Sequence, residues 1–425
     1  MLNTFFNKIK VVLKDSVIRK RILLTLGALV IFRLLANIPV PGVDISSLER
    51  LLSSNQFINI LNIFSGGGVS SLSIVMLGVG PYITASIIIQ LLTMMFPKIK
   101  AMMQEEGEAG RMKLSQYSRY LAVPLSLLQA FAFISYLSTR GVLPHLTGMS
   151  LLVNVLVITA GSMLLMWIGE LISEFGIGNG VSLIIFSGIV SVLPVKILQF
   201  VASFDISQIP LYVVFLLITL VVIITVVVVT EAERPVSVTY AKQVRGNKVY
   251  GGVSTYLPLR LNQAGVIPII FALSIIVIPG MIAQFLLNSS NPTVSSIAYS
   301  VSTFLSPTSW VYAVLYFIFV FAFTYFYTAV TFDPKMISEN LQKGGAFIPG
   351  VRPGESTMNY LAKVVTRITF VGAIFLGFVA VLPLVMQGFT GSTILAIGGT
   401  ALLIVVSVVL DLIKKIDAQA SMREY

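Results

Sequence analysis

The chain alternates between long apolar runs and short polar breaks. A helix needs about 20 apolar residues to cross a hydrocarbon core of ~30 Å. Runs of that kind recur at 22–38, 73–96, 115–137, 150–173, 180–201, 209–231, 263–287, 310–331, 364–386 and 391–413. The pattern predicts ten spanning helices. Only "SEFGIGNG" separates the fourth from the fifth, so those two are expected to be antiparallel neighbours. Ahead of the first run, residues 1–21 are basic. Phe5, Phe6, Ile9, Val12 and Leu13 recur there at helical spacing, which predicts an amphipathic interface helix rather than a cleavable signal.

One apolar stretch is too short to span. Phe57 to Phe64 would cover only about 12 Å as a helix, and "SGGG" follows it. Such a half-helix cannot face lipid on all sides, so it is expected within the protein. Two polar breaks are too long for plain connectors, 232–262 and 332–363. Aromatic and β-branched residues around Val236–Tyr240 and Lys248–Tyr256 predict a hairpin standing off the membrane in the first of them.

Composition agrees with the pattern. Apolar residues make up 56% of the 425 residues and charged residues 11%, whereas soluble domains carry roughly a quarter charged. The fold class is an all-α polytopic membrane protein. The net charge of +11 is read as loop charge before nucleic-acid affinity. With ten spans, 24 Lys and Arg fall on the side of the N-terminus and 3 on the other, which predicts both termini in the cytoplasm. Five spans plus five invite an inverted repeat, with halves at 22–205 and 206–413 and a tail at 414–425.

The chemistry that is missing narrows the function. There is no cysteine, hence no disulfide or thiolate metal site. The one histidine, His145, lies in a loop without partners for a metal. No phosphate-binding GxxxxGK[ST] loop occurs, and "EEGEAGRMK" has the wrong spacing. No pair of groups suited to proteolysis stands inside a span. Arg33, Glu170 and Asp411 lie near span ends, where snorkelling is cheap; Glu170 is expected to be a structural partner. No cofactor and no enzymatic activity are expected. Two readings remain from the residues: a passive channel, and a secondary transporter of small solutes. The scarcity of mid-membrane charge counts against the second.

Seven motifs then occur in order across nearly the whole chain: "IPVPGVD", "NIFSGGGVSSLSIVMLGVGPYITASIIIQLL", "EEGEAGRMKLSQYSRY", "GIGNGVSLIIFSGIV", "LNQAGVIPIIFA", "AFIPGVRPGEST" and "GGTALLIVV". Together they resemble the SecY/Sec61-alpha family, the pore subunits of Sec protein translocases. The resemblance implies two pseudo-symmetric inverted five-helix halves around a central pore in the bacterial plasma membrane. It also implies SecE and SecG as partner subunits. A SecA motor ATPase or a translating ribosome would drive transport, and preprotein signal sequences and membrane lipids would meet the channel.

The same resemblance implies site residues. It makes 57–68 a plug, with Phe64, Ser65, Gly66, Gly67 and Gly68 as plug end and hinge. It puts a constricting aliphatic ring at Val79, Ile83, Ile185, Ile189, Ile270 and Ile404; without it, these residues read as ordinary core. An apolar ring strips water from ions and offers no directional bonds to a sliding chain. A lateral gate between the second and third spans and the seventh and eighth has Ile87, Gln90, Ser274 and Ile278 as candidates. Docking of a motor or ribosome is assigned to Lys242, Arg245, Lys248 and Arg352, since Arg grips carboxylates and phosphates. Arg352 stands between two "PG" pairs, which predicts a constrained turn.

Overall fold

The computed structural model describes residues 15–40, 62, 65, 67–105, 107–139, 142–143, 148–202, 209–241, 243–245, 248–250, 252, 254–287, 291–306, 309–390 and 393–421. Helix α1, Ser16–Ala36, opens on Asp15, whose carboxylate accepts from the backbone N–H groups of Val17 and Ile18. It thus starts before the expected span. Most of the expected 1–21 helix lies outside the described residues.

The second span differs from its expectation. Helix α2 runs Gly80–Met95, and the expected first part of the span, 73–79, instead continues a series of tight turns that begins at 67. Three positions in this stretch have positive φ: Gly67 at 84°, Gly78 at 57° and Leu72 at 41°. Leu72 is strained, since a Cβ is disfavoured there. Hydropathy could not register this. Val69, Leu72 and Met76 are buried as a helix would bury them, but against the two following helices, α4 (Gly107–Thr139) and α5 (Gly148–Phe175). Neighbouring backbone fixes the turns. Pro39 and Ser73 form an antiparallel bridge, Val40 N donates to Leu72 O at 2.8 Å and Ile74 N to Ile38 O at 3.0 Å. Ser162 Oγ on α5 donates to Gly78 O at 2.9 Å.

The remaining elements follow in order. Helix α3 (Pro97–Glu105) precedes α4; α6 (Gly180–Ala202) and α7 (Ile209–Glu231) follow α5. Strands β1 (Glu233–Tyr240), β2 (Gln243–Arg245), β3 (Lys248–Tyr250) and β4 (Ser254–Arg260) come next. Then come α8 (Ile267–Leu286), α9 (Pro292–Phe304), α10 (Trp310–Thr331), α11 (Pro334–Lys343), β5 (Ala346–Phe347), α12 (Glu355–Thr390) and α13 (Thr393–Ser421). A helix lies in each of the ten expected intervals. Among the described residues, α4, α5, α7, α10 and α12 contain stretches long and apolar enough to cross a membrane.

The hairpin is present and carries a further strand. β1 pairs with β4 from Glu233↔Arg260 to Thr239↔Ser254. β5, from the second long loop, adds to the free edge of β1 through Thr239↔Phe347 and Tyr240↔Ala346. The two loops therefore form one unit, with Val236, Val238, Leu259, Ala346 and Ile348 buried on Leu361 and Val365 of α12. Among the helices, α8 packs on α2, α4 and α10, while α13 packs on α6, α7 and α12.

Candidate functional site

The six residues assigned to the ring come together. Val79 caps α2 and Ile83 is one turn on; Ile185 and Ile189 lie on α6, Ile270 in the first turn of α8, and Ile404 on α13. All are buried, and all belong to one contiguous apolar cluster. The cluster joins helices from both halves of the chain. Between membrane helices there is no hydrophobic driving force, because lipid is as apolar as a side chain. Such a cluster is held by van der Waals contact, which a widening of the helices would lose.

Above it lies a polar cavity of about 480 Å³. Ile83, Ile185 and Ile270 are among its apolar lining, and Ser86 and Gln90 of α2, Ser115 and Arg119 of α4, Glu170 and Glu174 of α5, and Asn179 are among its polar lining. Arg119 Nε donates to Glu170 Oε1 at 2.6 Å, so the expected structural partnership of Glu170 is present. Asn179 and Ser182 also line a second cavity of about 280 Å³, with Arg260, Asn262, Asp411 and Lys415. A third, of about 360 Å³, runs between α2, α4 and α10, lined by Ser86, Gln90, Thr93, Ser118 and Thr331 among others.

The plug assignment is only partly visible. Phe64 and Gly66 lie outside the described residues, as do 57–61 and 63. Ser65 and Gly67 are wound into turns: Ser65 Oγ donates to Asn62 O at 3.1 Å, and Gly67 N donates to the same oxygen at 2.8 Å. Gly68 is closely packed. A Cβ there would stand 2.9 Å from Ser73 Oγ and 3.2 Å from Met76 Cα. At Gly67 a Cβ would sit 3.8 Å from Val192 Cγ2 on α6. Both glycines are thus built into turns, and Gly67 lies against α6.

At the proposed gate, Ile87 is buried in the main cluster. Gln90 Nε2 donates to Ser86 Oγ at 3.5 Å, and its buried Oε1 has no hydrogen-bond partner among the described residues. Ser274 Oγ donates to Ile270 O at 2.8 Å, one turn back. The side chain of Ile278 is not among those described. In the loops, Lys242 lies outside the described residues, and Arg245 faces Lys248 across the β2–β3 pairing. Arg352 is exposed between Gly350 (φ 82°) and Gly354 (φ 94°), and its carbonyl accepts from Thr357 Oγ1 at 2.9 Å. The constrained turn is as expected.

Sequence reasoning missed two things here. The first is the identity of Glu170's partner, Arg119, which the sequence reading did not single out. The second is Tyr327 of α10, which lines all three cavities.

The bundle and its closed apolar centre belong to a multi-pass helical membrane protein. A SecY family model matches residues 73–413. The protein translocase subunit SecY of Mycobacterium bovis is 42% identical over all of this chain and 99% of its own length. That of Synechocystis sp. is 42% identical over 96% of this chain and 93% of its own. The chain belongs to the SecY family. Its fold resembles that of a solved protein-conducting channel, with TM-score 0.68, 18% identity and coverage of 97% of this chain and 94% of that one. It likewise resembles Sec61 in the canine ribosome-channel complex from the endoplasmic reticulum, with TM-score 0.67, 20% identity and coverage of 97% and 94%.

Proposed function

We propose that this chain is the protein-conducting channel of a bacterial Sec translocase. It passes unfolded preproteins across the plasma membrane and releases apolar segments sideways into lipid. The observation that carries the reading is the convergence of Val79, Ile83, Ile185, Ile189, Ile270 and Ile404 in one buried cluster beneath a polar cavity. An aliphatic closure holds back ions, because nothing in it replaces their water. A sliding chain of any composition can part it, because no directional bond has to be broken. The polar cavity above it is the vestibule on the cytoplasmic side, and both termini and both long loops face that side.

The rest of the reading follows from this placement. Residues 57–68 plug the opposite funnel, and the turns at Gly67 and Gly68 are the root from which the plug leaves. The gate opens where α8 and α10 face α2 and α4, near Ile87, Gln90, Ser274 and Ile278. The sheet that joins the two loops, with Arg245, Lys248 and Arg352 on its periphery, docks a SecA motor or a translating ribosome. SecE and SecG complete the membrane complex. A secondary transporter would need a charged mid-membrane site, and among the described residues no observation favours one.

The test is transport itself. The chain, purified with its co-purifying small subunits, is reconstituted into vesicles with the motor and ATP. A signal-bearing preprotein should become protected from added protease. A preprotein that stays accessible, in vesicles whose chain is folded and correctly oriented, overturns the reading.

A further inference from the structure

Three cavities meet at one side chain. The polar vestibule and the crevice between α2, α4 and α10 share Tyr82, Ser86, Gln90, Ser115 and Tyr327 as lining. Four of these five come from α2 and α4, and only Tyr327 comes from the second half of the chain. The third cavity, toward α13, is also lined by Tyr327. Of all the residues lining the three, Tyr327 alone faces every one. Its ring lies edge-on to Phe271, with centroids 6.2 Å apart. Phe271 in turn neighbours Ile270 of the ring cluster and meets Phe323 at 6.0 Å. Tyr327 is half-buried, so the ring has a packed side and an open one.

We propose that Tyr327 is a specificity-determining residue. It is the movable partition between the vestibule and the lateral crevice, and it sets how apolar a segment must be to leave sideways. The inference rests on the proposed channel function. The geometry gives the reason. In the proposed channel, a segment in the vestibule leaves for lipid through the shared wall. Ser86, Ser115 and Gln90 give that wall a polar face, and the Tyr327 ring is its main apolar element on the second half. An aromatic ring with two side-chain torsions can swing aside without helix movement. Displacing it means giving up its edge contacts with Phe271, which only a segment with enough apolar surface can replace. A more polar segment leaves the ring in place and continues forward.

The experiment uses the complete complex in vesicles. A translocating chain carries a test segment of about 19 residues with graded leucine content, and the fraction integrated is measured against leucine number. Tyr327→Ala should move the midpoint by about one to two leucines toward more polar segments, with integration expressed relative to soluble-preprotein transport by the same variant. Tyr327→Phe keeps the ring and should stay at the wild-type midpoint. Tyr327→Leu keeps apolar bulk without the ring and should fall between, and it serves if the alanine variant does not assemble. A merely structural role would slow all substrates alike and leave the midpoint fixed, and that result overturns the proposal. If the wild-type complex moves no preprotein, the channel reading itself fails. If it does so and the midpoint is unmoved, only the role of Tyr327 fails.

Discussion

Arg119 of α4 and Glu170 of α5 are joined by a 2.6 Å charge-assisted hydrogen bond at the wall of the polar cavity. The two side chains are 45% and 19% exposed. The contact is therefore partly wet, and its worth is at the upper end of what accessible pairs contribute, about 0.5–1 kcal/mol. The first prediction is a thermodynamic coupling. Arg119→Gln and Glu170→Gln should each lower the melting temperature of the purified complex, and the double variant should lose little more than one single. Additive losses would mean the two residues act separately.

The closed apolar cluster yields a second prediction. Ile404 is 1% exposed, with Ile185 and Ile189 of α6 in the same cluster. Ile404→Asn puts an amide where no described partner waits. An unpaired buried polar group costs about 1–3 kcal/mol, and water entering the closure lowers that cost. The variant should conduct ions at rest and accept preproteins with defective signals. Wild-type leak and wild-type discrimination together would place the seal elsewhere.

Topology gives the third. Thr239 pairs with Phe347 and Tyr240 with Ala346, so the two long loops are one sheet and must share a side of the membrane. With the basic residues concentrated there, that side should be the cytoplasm. Trypsin added to right-side-out vesicles should spare both Arg245 and the exposed Lys343 at the end of α11, and should cut at Lys343 once the vesicles are opened. Cleavage at either from outside reverses the orientation.

The outcome also shows which parts of the fold hydropathy can read. Long apolar runs announced helices because a spanning segment has to satisfy its own backbone. Helices α9 and α11 were missed, though both carry a legible start. Asn291 and Asp333 each precede a proline and accept backbone N–H groups, from Thr293 in one case and from Lys335 and Met336 in the other. Their sequences are too short or too polar for a hydropathy window. The turns at 73–79 were misread as the start of a span because Val75, Met76 and Val79 are as apolar as lipid-facing residues while being buried in protein. The ring residues have no local signature at all. Isoleucines spaced by four look like any helix face, and only the resemblance singled them out. Tyr327 had no signal, since its position depends on three cavities that no single stretch encodes.

The glycines at the plug root separate two effects, and this is the fourth prediction. Gly67 has φ 84°, where any Cβ is strained by about 1–2 kcal/mol. Gly68 has no such φ, but a Cβ would press on Ser73 Oγ and Met76 Cα. Gly67→Ala and Gly68→Ala should therefore both loosen the turns and raise resting ion leak. Gly27→Ala is the control, because nothing lies within 4 Å of its Cβ site in the middle of α1. It should leave leak unchanged and stability equal or up to about 1 kcal/mol higher. Equal leak in all three would mean that these turns do not hold the seal.

The last prediction locks the plug root to the pore wall. A Cβ on Gly67 would stand 3.8 Å from Val192 Cγ2 on α6, so a cysteine at each position brings the two side chains into contact. The chain has no cysteine, so Gly67→Cys with Val192→Cys forms one bond without background. The positive φ at Gly67 strains the new side chain, so the bond should form more slowly than at a relaxed site. If the plug has to leave from this root, oxidation should stop preprotein transport and a reductant should restore it. Each single variant should be insensitive to oxidant, which separates the lock from damage to the fold. A verified crosslink with undiminished transport would show that the chain passes without movement of this segment. The seal would then reside in the aliphatic cluster from Val79 to Ile404 alone, and Ile404→Asn would produce the leak without help from the glycines.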